Sequence, residues 1–535
     1  MSEGLPPPEA DHGASTWRPK HNPYLVAMVV TVATFMEVLD TTIINVALPH
    51  IAGSLSVGTD ESTWTLTSYL VANGIVLPVS GWLGRLMGRK NYFLLSIIMF
   101  TVSSLLCGLS TSLPELIIFR LMQGFFGGGL QPNQQSILLD TFEPAKRATA
   151  FGVTAVAIIA APIMGPTLGG WITDNFSWRW VFLINVPVGV IATFAISAVV
   201  EDPPWAKAGA GKGKRNIDVV GLSLIAAGFA CLQIVLDRGE QEDWFSSGFI
   251  QAFGVGAVLG LVGAVVWLLD RPDPIVNLRV WKNKDFAIGT LFISIMAATL
   301  YGSAVLIPQL AQSQLGYTAT WSGMILSPGG FMILFMIPII TRVLLKKFQA
   351  RFIVATGFFL LGIAMFYTGT ITPQVSFLNL MSMRLAQTFG TALLMIPIST
   401  VAFASVPREM NGDAAALYAM SRNLGGSIGI ALVTAYLTQR SQVHQAYLVE
   451  HLSDLNMGYQ MTKQAWMNGL AGHGLTPSQM DSSALGGIYR TLVRQAAILG
   501  YVDVFRISGV VAFCVVPLAF FMKSTKAAPK PAAAE

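Results

Sequence analysis

Charge is what this chain lacks. Of its 535 residues only 11% are Asp, Glu, Lys or Arg, against about 25% in an ordinary soluble domain. Hydrophobic residues make up 53%, and the mean hydropathy is +0.59. A water-soluble globular or disordered chain is excluded, and the composition is that of a membrane protein. Cysteine is scarce as well. Cys107, Cys231 and Cys514 lie far apart in apolar stretches, which leaves no disulfide framework or CxxC metal site and makes small buried hydrophobes of them. All six histidines, at 12, 21, 50, 444, 451 and 473, avoid the centres of the apolar runs. With no intramembrane His/Asp cluster, nothing supports a metal centre or a membrane-embedded transferase. A GxxxxGK[ST] phosphate loop is also missing, since "GAGKGKRN" near 208 has neither the spacing nor the Ser or Thr after Lys. No cofactor is expected, and ATP is not the expected energy source.

What is present is a series of fourteen apolar stretches. With about 20 residues to a transmembrane helix, spans are expected near 24–48, 62–83, 92–111, 115–139, 149–172, 178–200, 218–237, 248–269, 286–312, 321–343, 352–370, 376–404, 412–438 and 501–522. The first 23 residues are polar and are not followed by a short apolar core with a cleavage site, so the first span is expected to stay attached. Of the 33 Lys and Arg, 23 fall in alternate loops and tails. Basic loop residues stay cytoplasmic, so those loops and both termini are expected inside. The net charge of +5 thus reflects topology, and no nucleic-acid partner is expected. One segment on the other side, 439–500, is long and polar and reads as helix pieces joined by turns, either a passive cap or a docking element.

A short internal repeat divides the chain. "RLMQGFFGGGLQP" starts at Arg120 and "RLAQTFGTALLMIP" at Arg384, with Arg, Leu, Gln and Phe in register. Parallel repeats of this kind mark transporters, with a substrate site between the halves near the bilayer midplane. The expected division is a tail, 1–23; a six-helix half, 24–200; linkers and two inserted helices, 201–285; a second six-helix half, 286–522, which includes 439–500; and a tail, 523–535.

Against this apolar background "FMEVLDTTIINVALP", residues 35 to 49, places Glu37 and Asp40 inside the first span. A charge at the bilayer centre costs about 3 kcal/mol or more, so intramembrane acids face a cavity and serve coupling or binding. Three residues apart, the two share a helix face, and burial together with mutual repulsion disfavours two charges at once. A carboxylate that holds either a proton or a cationic compound makes the two compete. Arg120 sits one turn into the fourth span. It keeps its charge at any working pH and so cannot carry the proton, but it opposes protonation of a neighbouring acid. Glu37, Asn45, Gln123, Arg384 and Arg422 are the expected polar contacts of a substrate cavity.

These segments resemble the major facilitator superfamily, specifically its fourteen-helix drug:proton antiporters. The resemblance rests on "LDTTIINVALP" from Leu39, "GWLGRLMGRK" from Gly81, "RLMQGFFGG" from Arg120, "APIMGPTLGGWI" from Ala161 and "SWRWVFLINVPVG" from Ser177. "LDRGEQEDWFSS" from Leu236 and "GYTATWSG" from Gly316 are similar to segments of its Emr-type export subunits. The resemblance implies an all-α major facilitator fold and proton-driven export of hydrophobic or amphipathic compounds across a bacterial inner membrane. It further implies a periplasmic adaptor and an outer-membrane channel as partners, beside membrane lipid. Asp40 matches the family's span-one acid and is the first choice for the proton, with Glu37 substrate-facing or auxiliary or the two roles exchanged; Arg120 supports coupling. Gly81, Gly88, Arg89 and Lys90 form the basic loop turn. Gly165, Pro166, Gly169 and Gly170 form the span-five motif that controls closure. One departure is plain, because Arg85 stands where the loop signature carries Asp, so the family's charge relay does not carry over. Export of one physiological compound, such as a fatty acid or a siderophore, is the alternative, and a non-transporting sensor is a further one.

Overall fold

The computed structural model describes residues 19–143, 146–204, 218–272, 274–407, 410–453, 455–470 and 476–522. Most of both tails and the basic linker around Lys207 to Arg215 lie outside the described residues. Among those described the secondary structure is helical, in sixteen principal helices: α1 Pro23–Leu55, α2 Trp64–Met87, α3 Arg89–Leu109, α4 Leu113–Gly127, α5 Leu130–Thr141, α6 Arg147–Asn175, α7 Asn185–Val199, α8 Val219–Arg238, α9 Gly248–Asp270, α10 Lys284–Ser313, α11 Ala319–Ile339, α12 Ala350–Thr368, α13 Phe377–Ala402, α14 Asn411–Val449, α15 Met457–Leu470 and α16 Pro477–Val515. Their starts are written in the sequence. Asn22, Asp218, Asn283, Thr318 and Ser376 each accept a hydrogen bond from a first-turn N–H, and Thr476 with Gln479 closes a capping box ahead of Pro477.

Among the described residues eleven helical stretches are long and apolar enough to cross a membrane. The other three of the fourteen expected spans are helical but miss that measure for separate reasons. The fourth is broken into α4 and α5 at Gly128 and Gly129. The fifth, α6, carries two prolines and includes residues outside the description. The thirteenth, α14, carries Asn411, Asp413 and Arg422 and runs on to Val449. The break in the fourth span corrects the expectation of one continuous helix. Gly124 brings α4 so close to α2 that a Cβ there would overlap the Tyr69 carbonyl, and at Gly128, where the helix breaks, a Cβ would lie 2.8 Å from the Asn73 carbonyl. Among the described residues, segment 439–500 holds the end of α14, α15 and the first part of α16, so α14 and α16 extend well past the apolar region.

Helices α1–α7 pack into one bundle and α10–α16 into another, with α8 laid against α2 and α9 paired with α8. The bundles meet along α6 and α11, α2 and α14, and α5 and α14. Small residues allow close approach where lipid supplies no hydrophobic drive. A Cβ on Gly169 would lie 2.7 Å from the Ile43 carbonyl of α1, one on Gly165 would overlap Thr42, and one on Gly323 of α11 would overlap Thr167. The outward faces stay apolar, as along α9, where Val255, Val258, Leu259, Val262 and Val266 are exposed.

At the end of the molecule marked by the basic loops, polar contacts join the bundles. Arg85 pairs with Asp413, Asn411 donates to Asp140 Oδ1 at 3.2 Å, and Arg147 donates to the Phe403 carbonyl at 3.2 Å. The inverted charge of the loop turn thus meets an acid on α14. Gly81 sits against Gly412 in the same place, where a Cβ would lie 2.8 Å from the Gly412 carbonyl. Gly88 turns the chain with φ 82°, a conformation that favours glycine. Arg89 pairs with Asp140, and Lys90 Nζ donates to the Ser197 carbonyl at 2.6 Å. Reversal of the charge at Arg85, as R85D, is expected to weaken closure at this end, and the double exchange R85D/D413R to restore it; cross-linking of cysteines placed on α2 and α14 in membranes measures this.

Candidate functional site

The first span places its two acids in different surroundings. Asp40, 1% exposed, accepts from Arg120 Nη1 at 2.6 Å, from Gln123 Nε2 at 3.0 Å and from Asn185 Nδ2 at 2.7 Å. Arg120 is held in turn by the Thr65 carbonyl at 3.1 Å and Gln123 Oε1 at 2.8 Å, and its guanidinium lies 4.3 Å from the centre of the Tyr69 ring. An ion pair excluded from water survives only when the remaining lone pairs and protons are satisfied. Asp40 meets that condition fully, while Arg120 retains one unpartnered nitrogen, Nη2.

Glu37, 2% exposed, faces neutral donors instead. Tyr69 Oη and Asn73 Nδ2 donate to Oε1, each at 3.3 Å, and Gln131 Nε2 donates to Oε2 at 2.5 Å. Gln131 passes the interaction on, since its own carbonyl oxygen accepts from Arg422 of α14. A single carboxamide therefore connects an acid of one bundle to a guanidinium of the other. Tyr69 links the two acids, with its hydroxyl on Glu37 and its ring under Arg120.

Both arrangements border a cavity of about 360 Å³ between the bundles. Glu37, Asn45 and Arg120 line it, as does Pro166 beside the span-five glycines. Tyr69, Phe229 and Tyr301 supply aromatic wall, and Gln233 and Asp237 are contributed by α8. Asp40, Gln123 and Arg422 stand behind this wall. Arg384 lies away from it, 1% exposed, with its Nη1 donating to Ser303 at 2.7 Å and to Gln387 at 3.2 Å. This repeats the geometry of Arg120 with Gln123, except that a serine on α10 stands where α1 carries Asp40. No carboxylate pairs with Arg384 among the described residues, and its Nε and Nη2 have no hydrogen-bond partner.

Sequence reasoning missed Tyr69, Asn73, Gln131, Asn185 and Asp237. A signal existed for some of them. Tyr69 and Asn73 are polar-ended side chains four apart in an apolar span, on one helix face, and Gln131 and Asn185 fall within or beside motifs already singled out. The connection from Gln131 to Arg422 crosses between bundles, and no local spacing announces it.

A partly polar cavity held between two helical bundles of one membrane chain is the architecture of secondary transport, and metal-binding clusters are absent among the described residues. The description "Major Facilitator Superfamily" matches residues 30–430, and the chain belongs to that superfamily, in its Emr-type branch. Multidrug export protein EmrB of Escherichia coli (strain K12) is 37% identical over 509 residues, which cover 95% of this chain and 97% of the relative. Fatty acid resistance protein FarB of Neisseria gonorrhoeae is 32% identical over 498 residues, or 93% and 96% of the two chains. In fold the chain is similar to the proton:xylose symporter XylE, with a TM-score of 0.59 at 15% identity over 94% of this chain and 96% of that one. These likenesses point to a transporter rather than an enzyme.

Loss of either acid is expected to have unequal structural effects. Asp40→Asn leaves Arg120 buried without its counter-charge and is expected to destabilise the folded protein by about 3 kcal/mol, whereas Glu37→Gln removes a charge that no cation directly partners and is expected to cost about 1 kcal/mol. Thermal unfolding of the purified variants, followed by loss of monodisperse protein, checks the order.

Proposed function

We propose that this protein is a proton-driven exporter of hydrophobic and amphipathic compounds across a bacterial inner membrane. The observation that carries the reading is Glu37, a carboxylate buried in the cavity wall whose hydrogen-bond partners are all neutral donors. Protonating Asp40 discharges an ion pair and strands Arg120, whereas protonating Glu37 only weakens hydrogen bonds from neutral groups. Glu37 is therefore the cheaper site for the proton in this conformation, and Asp40 holds Arg120 in place over the Tyr69 ring. This reading exchanges the two roles relative to the family pattern.

The cycle follows from competition. A charged Glu37 holds Gln131 through a charge-assisted bond, and Gln131 holds Arg422, so an unprotonated acid favours the bundles together at this level. A proton on Glu37 weakens the first bond and loosens the second. A cationic substrate entering between Tyr69, Phe229 and Tyr301 displaces the proton by presenting positive charge to the same acid, whereas a neutral apolar body favours the protonated, uncharged form. The fourteen helical segments all cross the membrane in this reading, and the basic loops and both termini are cytoplasmic. The contacts of Arg85 with Asp413 then close the cytoplasmic side, and residues 439–500 stand outside. Their apolar side chains Tyr447, Met457, Met461 and Tyr489 are exposed and offer a surface to a periplasmic adaptor that feeds an outer-membrane channel.

Similarity to a fatty acid resistance protein favours a second reading, export of one physiological compound. A fatty acid would bring its carboxylate against Glu37 and enter only when that acid is protonated. A panel of neutral, cationic and fatty-acid substrates separates the two.

The test is transport by purified protein in liposomes under an imposed pH gradient, with luminal pH followed alongside a lipophilic dye and empty liposomes as control. Wild type is expected to exchange dye for protons. Glu37→Gln is expected to retain dye binding within about threefold and to lose at least about tenfold of gradient-driven flux. Full gradient-driven flux in Glu37→Gln contradicts the assignment.

A further inference from the structure

The cavity has a second acid that neither the coupling scheme nor the internal repeat accounts for. Asp237 lies in the last turn of α8, one of the two inserted helices, and lines the same cavity as Glu37. We propose that α8 is a wall of the substrate site and that Asp237 selects for organic cations, above all for compounds carrying a second positive charge. The inference rests on the export reading above and names a substrate class for that site.

Three observations support it. First, α8 touches both bundles at the cavity. Asp237 accepts from the Thr67 hydroxyl of α2, and Gln233 Nε2 donates to Ser427 Oγ of α14 at 3.4 Å. The inserted helix therefore lies across the seam that has to move during transport, with three side chains, Phe229, Gln233 and Asp237, turned to the cavity. They are spaced by four residues, which puts them on one helix face.

Second, the charge of Asp237 is not used up in structure. Thr67 is a neutral partner, and no ion pair to Asp237 is present among the described residues. Its neighbour in sequence, Arg238, acts on it through space but directs its guanidinium to the Trp64 ring, 4.2 Å from the centre, and to Gln241 at 2.8 Å. A carboxylate placed in this way costs desolvation and returns it only if something in the cavity meets it.

Third, the register of α2 relates the two acids. Glu37 is bound by Tyr69 and Asn73, and Asp237 by Thr67. These positions are two to six residues apart, about 3 to 9 Å of helix rise. Two anionic groups offset along α2 by that rise, with aromatic rings Tyr69, Phe229 and Tyr301 lining the same cavity, suit a flat apolar body with cationic groups at both ends. Arg120 also lines the cavity, but its charge is balanced by Asp40.

The experiment measures binding at one fixed pH and without a gradient, so its outcome is read separately from gradient-driven flux. Isothermal titration of the purified full-length protein uses three probes of matched size: p-xylylene-bis(trimethylammonium), its singly charged 4-methylbenzyl-trimethylammonium analogue, and the neutral tert-butyl isostere. Wild type is expected to bind the dication about tenfold more tightly than the monocation. Asp237→Asn is expected to reduce that preference to less than about twofold while leaving the neutral probe unchanged, and Asp237→Glu to recover it. If Asp237→Asn does not elute as folded protein, Asp237→Ser is read in its place. An unchanged dication preference in the folded variant overturns the inference, as does a wild type with no preference or no binding to any probe. In each of those cases gradient-driven dye flux decides separately whether the export reading stands.

Discussion

The pairing of Arg120 with Asp40 is the constraint around which the first bundle is arranged. Both groups are almost fully withdrawn from solvent, and desolvating two charges costs more than a bare pair recovers. The bundle answers with a shell of polar groups drawn from three helices, in which Thr65, Gln123 and Asn185 satisfy all that the pair leaves over except Arg120 Nη2. Tyr69 completes the shell with its ring and offers its hydroxyl to Glu37. Glu37 is thereby positioned by a structure built for another charge, and it remains the acid of α1 that meets the cavity. The second bundle repeats the arginine and glutamine at Arg384 and Gln387 but replaces the acid by Ser303, which explains why acid chemistry on the central helices is confined to one side of the seam.

Movement between states has to break contacts of a different kind. At the basic end the bundles are joined by polar links, Arg85 with Asp413 foremost, whose groups are buried apart from the half-buried Arg85, and by the backbone approach of Gly81 to Gly412. In the interior α6 packs on α11, and the side chain of Gln131 makes a polar link between Glu37 and Arg422. The exchange of an acid for Arg85 in the loop turn does not remove the link across the seam. It reverses the polarity, with the acid now on α14.

Much of this was legible in the sequence. Hydropathy and the alternation of basic loops located the helices, because both follow from a bilayer that penalises charge one residue at a time. Glu37, Asp40 and Arg120 were legible for the same reason, as charges where hydrocarbon is expected. The break between α4 and α5 was harder to read, since a glycine run marks a close approach or a turn with equal force, and the partner at Tyr69 lies more than fifty residues away. The unequal surroundings of Glu37 and Asp40 were not legible, because a spacing of three says that two side chains share a face and nothing about what stands opposite. Arg384 shows the reverse limit. Its motif matches that of Arg120, yet its position away from the cavity depends on how the second bundle packs. Asp237 lay within a segment already singled out for its resemblance, but its direction toward the cavity depends on how α8 leans on α2.

The central claim is that Glu37 releases its proton when substrate binds. The most direct measurement is the proton count on binding, with purified protein in weakly buffered detergent solution near neutral pH saturated with a cationic substrate while a pH-sensitive dye reports release. The account predicts release on the order of one proton per protein from wild type and none from Glu37→Gln, with substrate binding preserved in both. Equal release from Glu37→Gln would contradict it and move the proton to another acid.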